Sequence, residues 1–201
     1  MNKIKVFTAL VGLLISFTTT AQRVSLVDGS VASLKGEKKV NIQFDYDGMG
    51  VGSFADESDY VAKKKKDYNE KEPGRGDTWE KSWIGDRKNR FEPQFIELFS
   101  KHSSIIVGNY PDAKYTLVFK TTFTEPGFNV YVARKNATIN GIATVIETTS
   151  KKVIAEYRVN KAPGRTFGGY DFDTGTRIQE AYATAGKGLG KTIADALKKI
   201  K

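Results

Sequence analysis

ATINGIATVIETTSKKVIAEYRV, residues 137–159, is the stretch that decides the fold. Small and apolar side chains occupy every second position of its first half: Ala137, Ile139, Gly141, Ala143 and Val145. Ile142 and Ile146 lie on the opposite face, and Ser150-Lys151 marks a turn. The same alternation then returns at Val153, Ala155, Tyr157 and Val159. A period of two on both sides of a short turn predicts an antiparallel β-hairpin.

Three further strands are expected N-terminal to this hairpin. Apolar side chains alternate over residues 115–123, and Pro126-Gly127 ends that run. Residues 128–134 (FNVYVAR) favour a shorter strand, and alternation also marks residues 40–46. Such alternation is typical of strands that are buried on one face.

Helical patterns separate residues 40–46 from the later strands. The composition favours a helix from about Glu57 to Glu72, which Pro73-Gly74 would stop. A second helix is expected to begin after Asp77 or Thr78, with a kink or break at Pro93, which has no backbone N–H. Its aromatic and apolar side chains recur mostly every four residues: Trp79, Trp83, Phe91, Phe95, Leu98 and Phe99.

The chain ends in a third helical pattern. Thr176 and Gln179 fit a capping box, and an apolar stripe continues from Ile178 to Ile200. Together these patterns predict an α+β fold in which helices cover mainly one face of an antiparallel sheet of four or five strands. We expect a loosely ordered lead-in over residues 22–38 and a single domain over residues 39–201.

The N-terminus predicts export. Lys3 and Lys5 precede an uncharged, almost wholly apolar run over residues 6–17, and Ala21 offers a small residue before a cleavage site. This order is typical of a cleavable signal peptide, here residues 1–21, and the run is short for a membrane anchor. The chain contains no cysteine, so a cysteine-linked lipid anchor and disulfides are excluded. We therefore expect a periplasmic or secreted protein of bacterial type, without a lipid anchor and with no membrane span after cleavage.

The net charge of the chain and its distribution constrain which classes of partner the protein can bind. Removing Lys3 and Lys5 from the 32 basic residues leaves 30 against 23 acidic ones, a net formal charge of +7. Much of the excess lies in four lysine clusters: Lys63–Lys66, Lys35/Lys38/Lys39, Lys151–Lys152 and Lys198/Lys199/Lys201. Acidic residues are interleaved with several of them, so we expect solubility rather than nucleic-acid binding, which needs one coherent basic face. Adhesion to anionic membranes stays open as an alternative.

Residues 185–192 (AGKGLGKT) match a loose phosphate-loop pattern. A phosphate loop needs a strand before it and a helix after it, whereas here the apolar stripe of the last helix continues through the match. Gly186 and Gly190 are better explained as positions where that helix approaches its neighbours closely. No nucleotide or other cofactor is expected.

Few residues are available for catalysis. The chain has no cysteine and a single histidine, His102, which excludes thiol catalysis and a histidine-rich zinc site. Residues 171–175 (DFDTG) resemble the start of a calcium loop, but the twelfth position is Tyr182 where an EF-hand needs a carboxylate. Carboxylate pairs such as Asp45/Asp47 or Asp171/Asp173 remain, as in glycan hydrolysis. No catalytic, cofactor-binding or metal-binding residue is predicted.

The aromatic face of the second helix has two interpretations. Its side chains could form the core, which we favour because aromatic residues dominate core burial. They could instead line a groove for a sugar or lipid. The candidate ligand or partner surface consists of Trp79, Trp83, Asp171 and Asp173.

A resemblance covers residues 112–200. Pro111-Asp112-Ala113-Lys114-Tyr115 opens a strand, a hairpin turns at Ser150-Lys151, and a helix with small residues runs from Ala181 to Leu197. This layout resembles uncharacterised small exported envelope domains of Bacteroidetes-type bacteria. More distantly, it is similar to accessory domains of the TolB N-terminal, CsgG and LpoB types. The resemblance implies a non-catalytic protein that binds an envelope partner or assists assembly. The alternative is a carboxylate-based hydrolase or binder of envelope glycans.

Overall fold

The computed structural model describes residues 23–130, 132–164 and 173–200. The predicted signal peptide at 1–21 and most of the glycine-rich stretch before the last helix lie outside the described residues. The strands are β1 Arg23–Gly29, β2 Lys39–Asp45, β3 Gly50–Val51, β4 Ile106–Gly108, β5 Tyr115–Glu125, β6 Phe128–Asn129, β7 Arg134–Lys135, β8 Thr138–Glu147 and β9 Val153–Pro163. The helices are α1 Glu57–Asn69, α2 Arg75–Asp86, α3 Glu92–His102 and α4 Thr174–Lys198, with a 3-10 turn at Val31–Leu34 and a π-helical turn at Arg87–Phe91.

The main sheet has seven strands in the order β1-β9-β8-β5-β2-β4, with β3 also paired to β5. Pairs among β1, β9, β8 and β5 are antiparallel, whereas β2 runs parallel to both β5 and β4. The expected class, helices with a largely antiparallel sheet, is confirmed, but the expected four or five purely antiparallel strands are wrong. The helices α1 to α3 carry the chain back across the sheet, and such a crossover connects parallel strands.

The predicted hairpin is confirmed. It consists of β8 and β9, in register through Ala143 with Tyr157 and Val145 with Ala155. Lys151 lies in the turn with a left-handed φ of 60°. The alternating positions from Ala137 to Val145 and from Ala155 to Val159 are buried as expected, whereas Val153 at the start of β9 is 53% exposed. At Gly141 a Cβ would lie 2.6 Å from Cζ of Phe119, so this position requires glycine.

The N-terminal segment differs from the prediction of a loose lead-in over 22–38. Arg23–Gly29 forms β1, an edge strand paired antiparallel to β9, and Val31 and Leu34 are buried. The backbone hydrogen bonds of an edge strand do not require alternating side chains, so the sequence pattern gave no signal. The signal peptide and the single domain over 39–201 remain predictions.

Helices α3 and α4 pack closely against each other. A Cβ at Gly186 would lie 2.4 Å from the carbonyl oxygen of Phe95, and one at Gly190 would lie 2.7 Å from that of Phe99. The interpretation of residues 185–192 as a packing segment inside a helix is therefore confirmed. Asp173, not Thr176, caps α4, because its side chain accepts the Thr176 N–H.

A kink or break was expected near Pro93, but the backbone stays helical from α2 into α3. The irregularity is the π-helical turn, in which the Glu92 N–H donates to the Arg87 carbonyl. Pro93 cannot donate such a bond, and it sits at the start of α3. The turn directs Phe91, Phe95 and Phe99 into the core, which confirms the core interpretation for these three side chains.

Candidate functional site

The two tryptophans of the predicted surface lie one turn apart on α2 and stack on each other. Their ring centroids are 5.6 Å apart at an interplanar angle of 26°. Trp83 is buried, with 6% exposure, and its indole N–H donates to Glu57 Oε1 at 2.6 Å. Trp79 is half-buried and also contacts Tyr60 and Tyr68. The structure therefore assigns Trp83 to the core and leaves Trp79 at the surface.

A surface depression of about 570 Å³ lies beside Trp79. Its lining comes from the loop between α1 and α2 and from the first turns of α2: Glu72, Pro73, Gly74, Arg75, Thr78 and Trp79. The Arg75 guanidinium carbon lies 5.3 Å from the centroid of the Tyr68 ring, which in turn is 5.8 Å from that of Trp79. The depression thus places the Trp79 ring beside Arg75, whose guanidinium also lies 3.9 Å from the Glu72 carboxylate.

Contacts between α1 and α2 hold this depression in place. The Asn69 side chain accepts the Gly76 N–H at 2.7 Å, and a Cβ at Gly76 would lie 2.1 Å from the Lys65 carbonyl oxygen. Lys65 bridges α1 to Asp77 at 2.9 Å and to Glu80 at 2.8 Å. Hydrogen bonding from Lys65 and Asn69 lowers the pKa of Asp77. Asp77 therefore stabilises the packing of α2 against α1. The absence of a side chain at Gly76 allows the two helices to approach each other closely.

The predicted acidic members of the surface do not join the tryptophans. Asp171 lies outside the described residues. Asp173 caps α4 through the Thr176 N–H at 2.7 Å and pairs with Arg90 at 2.8 Å, and Arg90 also pairs with Asp86 at 3.1 Å. Burial alone would raise the pKa of Asp173, but these bonds outweigh it and lower the pKa. Asp173 therefore stabilises the N-terminus of α4, and it does not line the depression beside Trp79.

The other predicted carboxylate pair is also engaged in local structure. Asp45 pairs with Lys120 at 3.2 Å, and its Oδ1 accepts the Asp47 backbone N–H at 2.8 Å. This arrangement shapes the turn that follows β2. Neither carboxylate lines the depression beside Trp79, so the geometry expected of a glycan hydrolase is not found there.

Sequence reasoning missed a polar network beneath the tryptophans. The Arg87 guanidinium contacts both carboxylate oxygens of Glu57, and its carbon lies 4.2 Å from the Tyr46 ring centroid. The Tyr46 hydroxyl donates to Glu92 Oε1 at 3.4 Å. Glu57 and Arg87 are 30 residues apart, and no spacing rule pairs residues at such a distance. The only feature of the sequence that pointed to this ion pair was that both charged residues have aromatic residues near them in the chain.

The tyrosines around this network stay neutral. Burial raises the pKa of Tyr46 far above its usual range, and burial likewise raises that of Tyr182, whose hydroxyl lies 2.6 Å from Thr121 Oγ1. Burial raises the pKa of Tyr60 to about 12. Hydroxyls held in the protonated form are poor nucleophiles, and their hydrogen bonds position β2, the π-helical turn and α4. The network is structural.

The described part of the chain offers no group of three or more His, Cys, Asp or Glu side chains that could hold a metal ion. Within the same residues, no helix combines the length and the apolar character needed to cross a membrane.

Comparisons with known proteins give distant structural similarity only. No family model and no curated protein match the sequence. Among solved structures, the PelC dodecamer from Paraburkholderia phytofirmans is similar at 9% identity with a TM-score of 0.40, over 88% of this chain and 97% of that one. Protein XCC0632 of Xanthomonas campestris, of family DUF330, follows at 13% identity and a TM-score of 0.36, over 54% and 62% of the two chains.

A homolog of a neuraminyllactose-binding hemagglutinin from Helicobacter pylori matches at 13% identity and a TM-score of 0.29, over 87% of this chain and 94% of that one. TM-scores this low establish no shared function. The structures found do not support the specific similarity to the TolB N-terminal, CsgG and LpoB types.

Proposed function

We propose that the protein is an exported, non-catalytic binding protein of the cell envelope, and that it holds its partner at the depression beside Trp79. The single observation that carries this proposal is the different burial of the two stacked rings: Trp83 is buried, while Trp79 is only partly buried and lies next to Arg75 and Glu72. Aromatic residues and arginine are enriched where protein partners bind most strongly. Export rests on the predicted signal peptide at 1–21.

A non-catalytic role agrees with the state of the carboxylates. Asp45 is paired with Lys120, and Asp173 is paired with Arg90 while it caps α4. A glycosidase needs two carboxyl groups facing each other across the substrate. Asp45 and Asp173 are thus held in separate structural contacts and do not form a facing pair.

Site-specific photo-crosslinking tests this function. A photoreactive residue replaces Thr78, which is exposed and lines the depression, and a second variant carries it at Ser150 in the distant hairpin turn. In cells of the source organism, a crosslinked partner is expected from position 78 and not from position 150. Adding Trp79→Ala should abolish the product at 78. Equal products at both positions, or a product at 78 that survives Trp79→Ala, would contradict the proposal.

A glycan is the second candidate for the partner, because the partly exposed indole ring beside Arg75 and Glu72 suits stacking on a sugar with hydrogen bonds to its hydroxyls. Trp79 and Trp83 are the chain's two tryptophans. A Trp83→Phe variant therefore reports on Trp79 alone. Soluble cell-wall glycan fragments should then shift its emission in a saturable manner, and a flat titration would exclude them.

A further inference from the structure

Lysines from distant parts of the chain meet at one end of the molecule. A cleft of about 670 Å³ is lined by residues 36–39 and by residues 109–114, and it includes Lys38, Lys39 and Lys114. An adjoining cleft of about 390 Å³ shares residues 36–38 and adds Lys35, His102 and Lys198. The Lys35 ammonium also donates to the Ile200 carbonyl at 2.9 Å. Two of the four lysine clusters of the sequence therefore become neighbours.

The same end carries three more lysines near His102. Partial burial lowers the pKa of His102, and the positive charges of Lys187, Lys191 and Lys101 lower it further. We call the eight lysines of this end the basic face: Lys35, Lys38, Lys39, Lys101, Lys114, Lys187, Lys191 and Lys198. The acidic side chains that line its clefts or pair with it are Glu37, Asp112 and Asp195, and Glu147 also lies close enough to act electrostatically on Lys114.

The basic face differs from the longest lysine run of the sequence. In α1, Lys63 pairs with Asp67 at 2.9 Å, Lys66 with Glu70 at 3.8 Å, and Lys65 with Asp77 and Glu80. Within the residues that the structure describes, Lys38, Lys39 and Lys114 form no ion pair with a carboxylate. Lys39 instead lies 5.2 Å from the Tyr110 ring centroid, and Lys114 lies 5.2 Å from that of Tyr115. Their charge is available to a partner.

An exposed apolar side chain lies within the basic face. Ile106 is 50% exposed and stands opposite Lys39 in the pairing of β4 with β2. The half-buried Tyr110 ring is close to the same lysine. Cations around an apolar and an aromatic side chain suit the interface of an anionic bilayer, which takes apolar groups below its headgroups. Flexible lysine ammonium groups also suit headgroups, which have no fixed geometry.

We propose that the basic face binds the surface of an anionic lipid bilayer. Lys114 directly precedes β5, and Glu125 ends it, so these two residues are up to roughly 36 Å apart along the strand. At the Glu125 end, Val51 of β3 pairs with Thr124, and the Phe54 N–H donates to the Val51 carbonyl. The Phe54 ring lies 5.8 Å from that of Tyr60, which packs on Trp79. A bilayer on the basic face therefore leaves the Trp79 depression at the other end of the molecule, open to its own partner.

Vesicle co-sedimentation of the purified protein tests this proposal. Vesicles of phosphatidylcholine alone are compared with vesicles that also contain phosphatidylglycerol, at low and at high salt. The triple variant Lys38→Gln/Lys39→Gln/Lys114→Gln is compared with Lys63→Gln/Lys64→Gln/Lys66→Gln, which removes the same charge from α1. Each lysine near an anionic surface contributes about fivefold to partitioning, so the first variant should bind roughly a hundredfold more weakly. The second should bind like the unmodified protein.

Three results would overturn the proposal. The first is an equal loss of vesicle binding in both triple variants, which would indicate that binding depends on net charge alone. The second is unchanged binding of the first variant. The third is displacement by inorganic phosphate beyond that caused by chloride of equal ionic strength, which would indicate a small-anion site. Ile106→Ser provides a further test: it should weaken vesicle binding roughly fivefold or more by removing apolar burial, and unchanged binding would contradict contact with the bilayer.

Discussion

The Trp79 ring stacks on that of Trp83, with centroids 5.6 Å apart, and only Trp79 reaches the surface of the molecule. The indole N–H of Trp83 is directed inward to Glu57. Two residues of one type, one helical turn apart, therefore have separate roles. Trp83 holds α1 and α2 together, and Trp79 presents its outer edge to the depression at the start of α2.

The different burial of Trp79 and Trp83 predicts that substitutions at the two positions change the stability of the protein by different amounts. Trp83→Ala removes a buried aromatic side chain and leaves Glu57 without one donor, so the free energy of unfolding should fall by about 3–5 kcal/mol. Trp79→Ala should cost clearly less, because part of its ring is already in water. Urea unfolding followed by circular dichroism measures both. Equal losses would contradict the assignment of Trp79 to the surface.

The close packing of α3 against α4 predicts that replacing Gly186 with alanine lowers the stability of the protein, although alanine normally stabilises a helix. Gly186→Ala places a methyl group against the Phe95 carbonyl, which cannot move freely, and should destabilise the protein by about 2 kcal/mol. Gly85→Ala is the matched control in α2, because its Cβ would meet only the Asn89 side chain at 3.5 Å. It should be neutral or stabilise by up to about 1 kcal/mol. Thermal unfolding distinguishes the two, and stabilisation by Gly186→Ala would refute the close contact.

The sequence predicted those parts of the fold in which side-chain alternation coincides with burial. The β8–β9 hairpin was predictable because the alternating positions from Ala137 to Val145 and from Ala155 to Val159 are buried, with Val153 as the exception. β1 was not, because Leu26 and Val27 on this edge strand are both about half exposed, so no alternation marks it. The parallel pairing of β2 with β5 depends on the path of α1 to α3, which local patterns do not encode.

The contact between Glu57 and Arg87 predicts strong coupling. Their side chains are only 17% and 19% exposed, so Arg87→Met alone leaves a largely buried carboxylate short of a partner and should cost about 3 kcal/mol. Glu57→Gln alone should also destabilise. The double variant Glu57→Gln/Arg87→Met should cost less than the sum, with a coupling free energy of about 1–3 kcal/mol. Additive losses in a denaturant-unfolding cycle would show that the pair does not act as a unit.

The two contacts of Asp173 can be separated by substitution. Asn can cap a helix as well as Asp, so Asp173→Asn should keep the bond to the Thr176 N–H and lose only the pairing with Arg90. Asp173→Ala loses both contacts and should cost about 1 kcal/mol. If the two variants lose equal stability in urea unfolding, the side chain does not cap α4.

The same residue predicts a pH dependence. Its pKa in the folded protein lies below the ordinary value of 3.8, so its contribution to stability is fully present above that value. The contribution is lost as the pH falls through the folded-state pKa. Asp173→Asn should therefore differ most from the unmodified protein near neutral pH and converge with it in acid. A difference that grows on acidification would contradict the lowered pKa.

The candidate site was only partly predictable. Aromatic spacing identified Trp79 and Trp83, but which of them is buried depends on Tyr60 and Glu57 of α1, a different helix. Asp173 was grouped with them on composition, whereas the fold uses it as a cap. The basic face could not be read from the sequence, because it forms only where residues 35–39 meet the ends of α3 and α4.

The most direct test of binding at Trp79 is acrylamide quenching of its fluorescence in the Trp83→Phe variant, with and without the partner captured from position 78. Acrylamide should quench free Trp79, because part of its ring is exposed to solvent. Saturation with the partner should markedly reduce the quenching constant. An unchanged quenching constant in the saturated complex would show that the partner binds elsewhere.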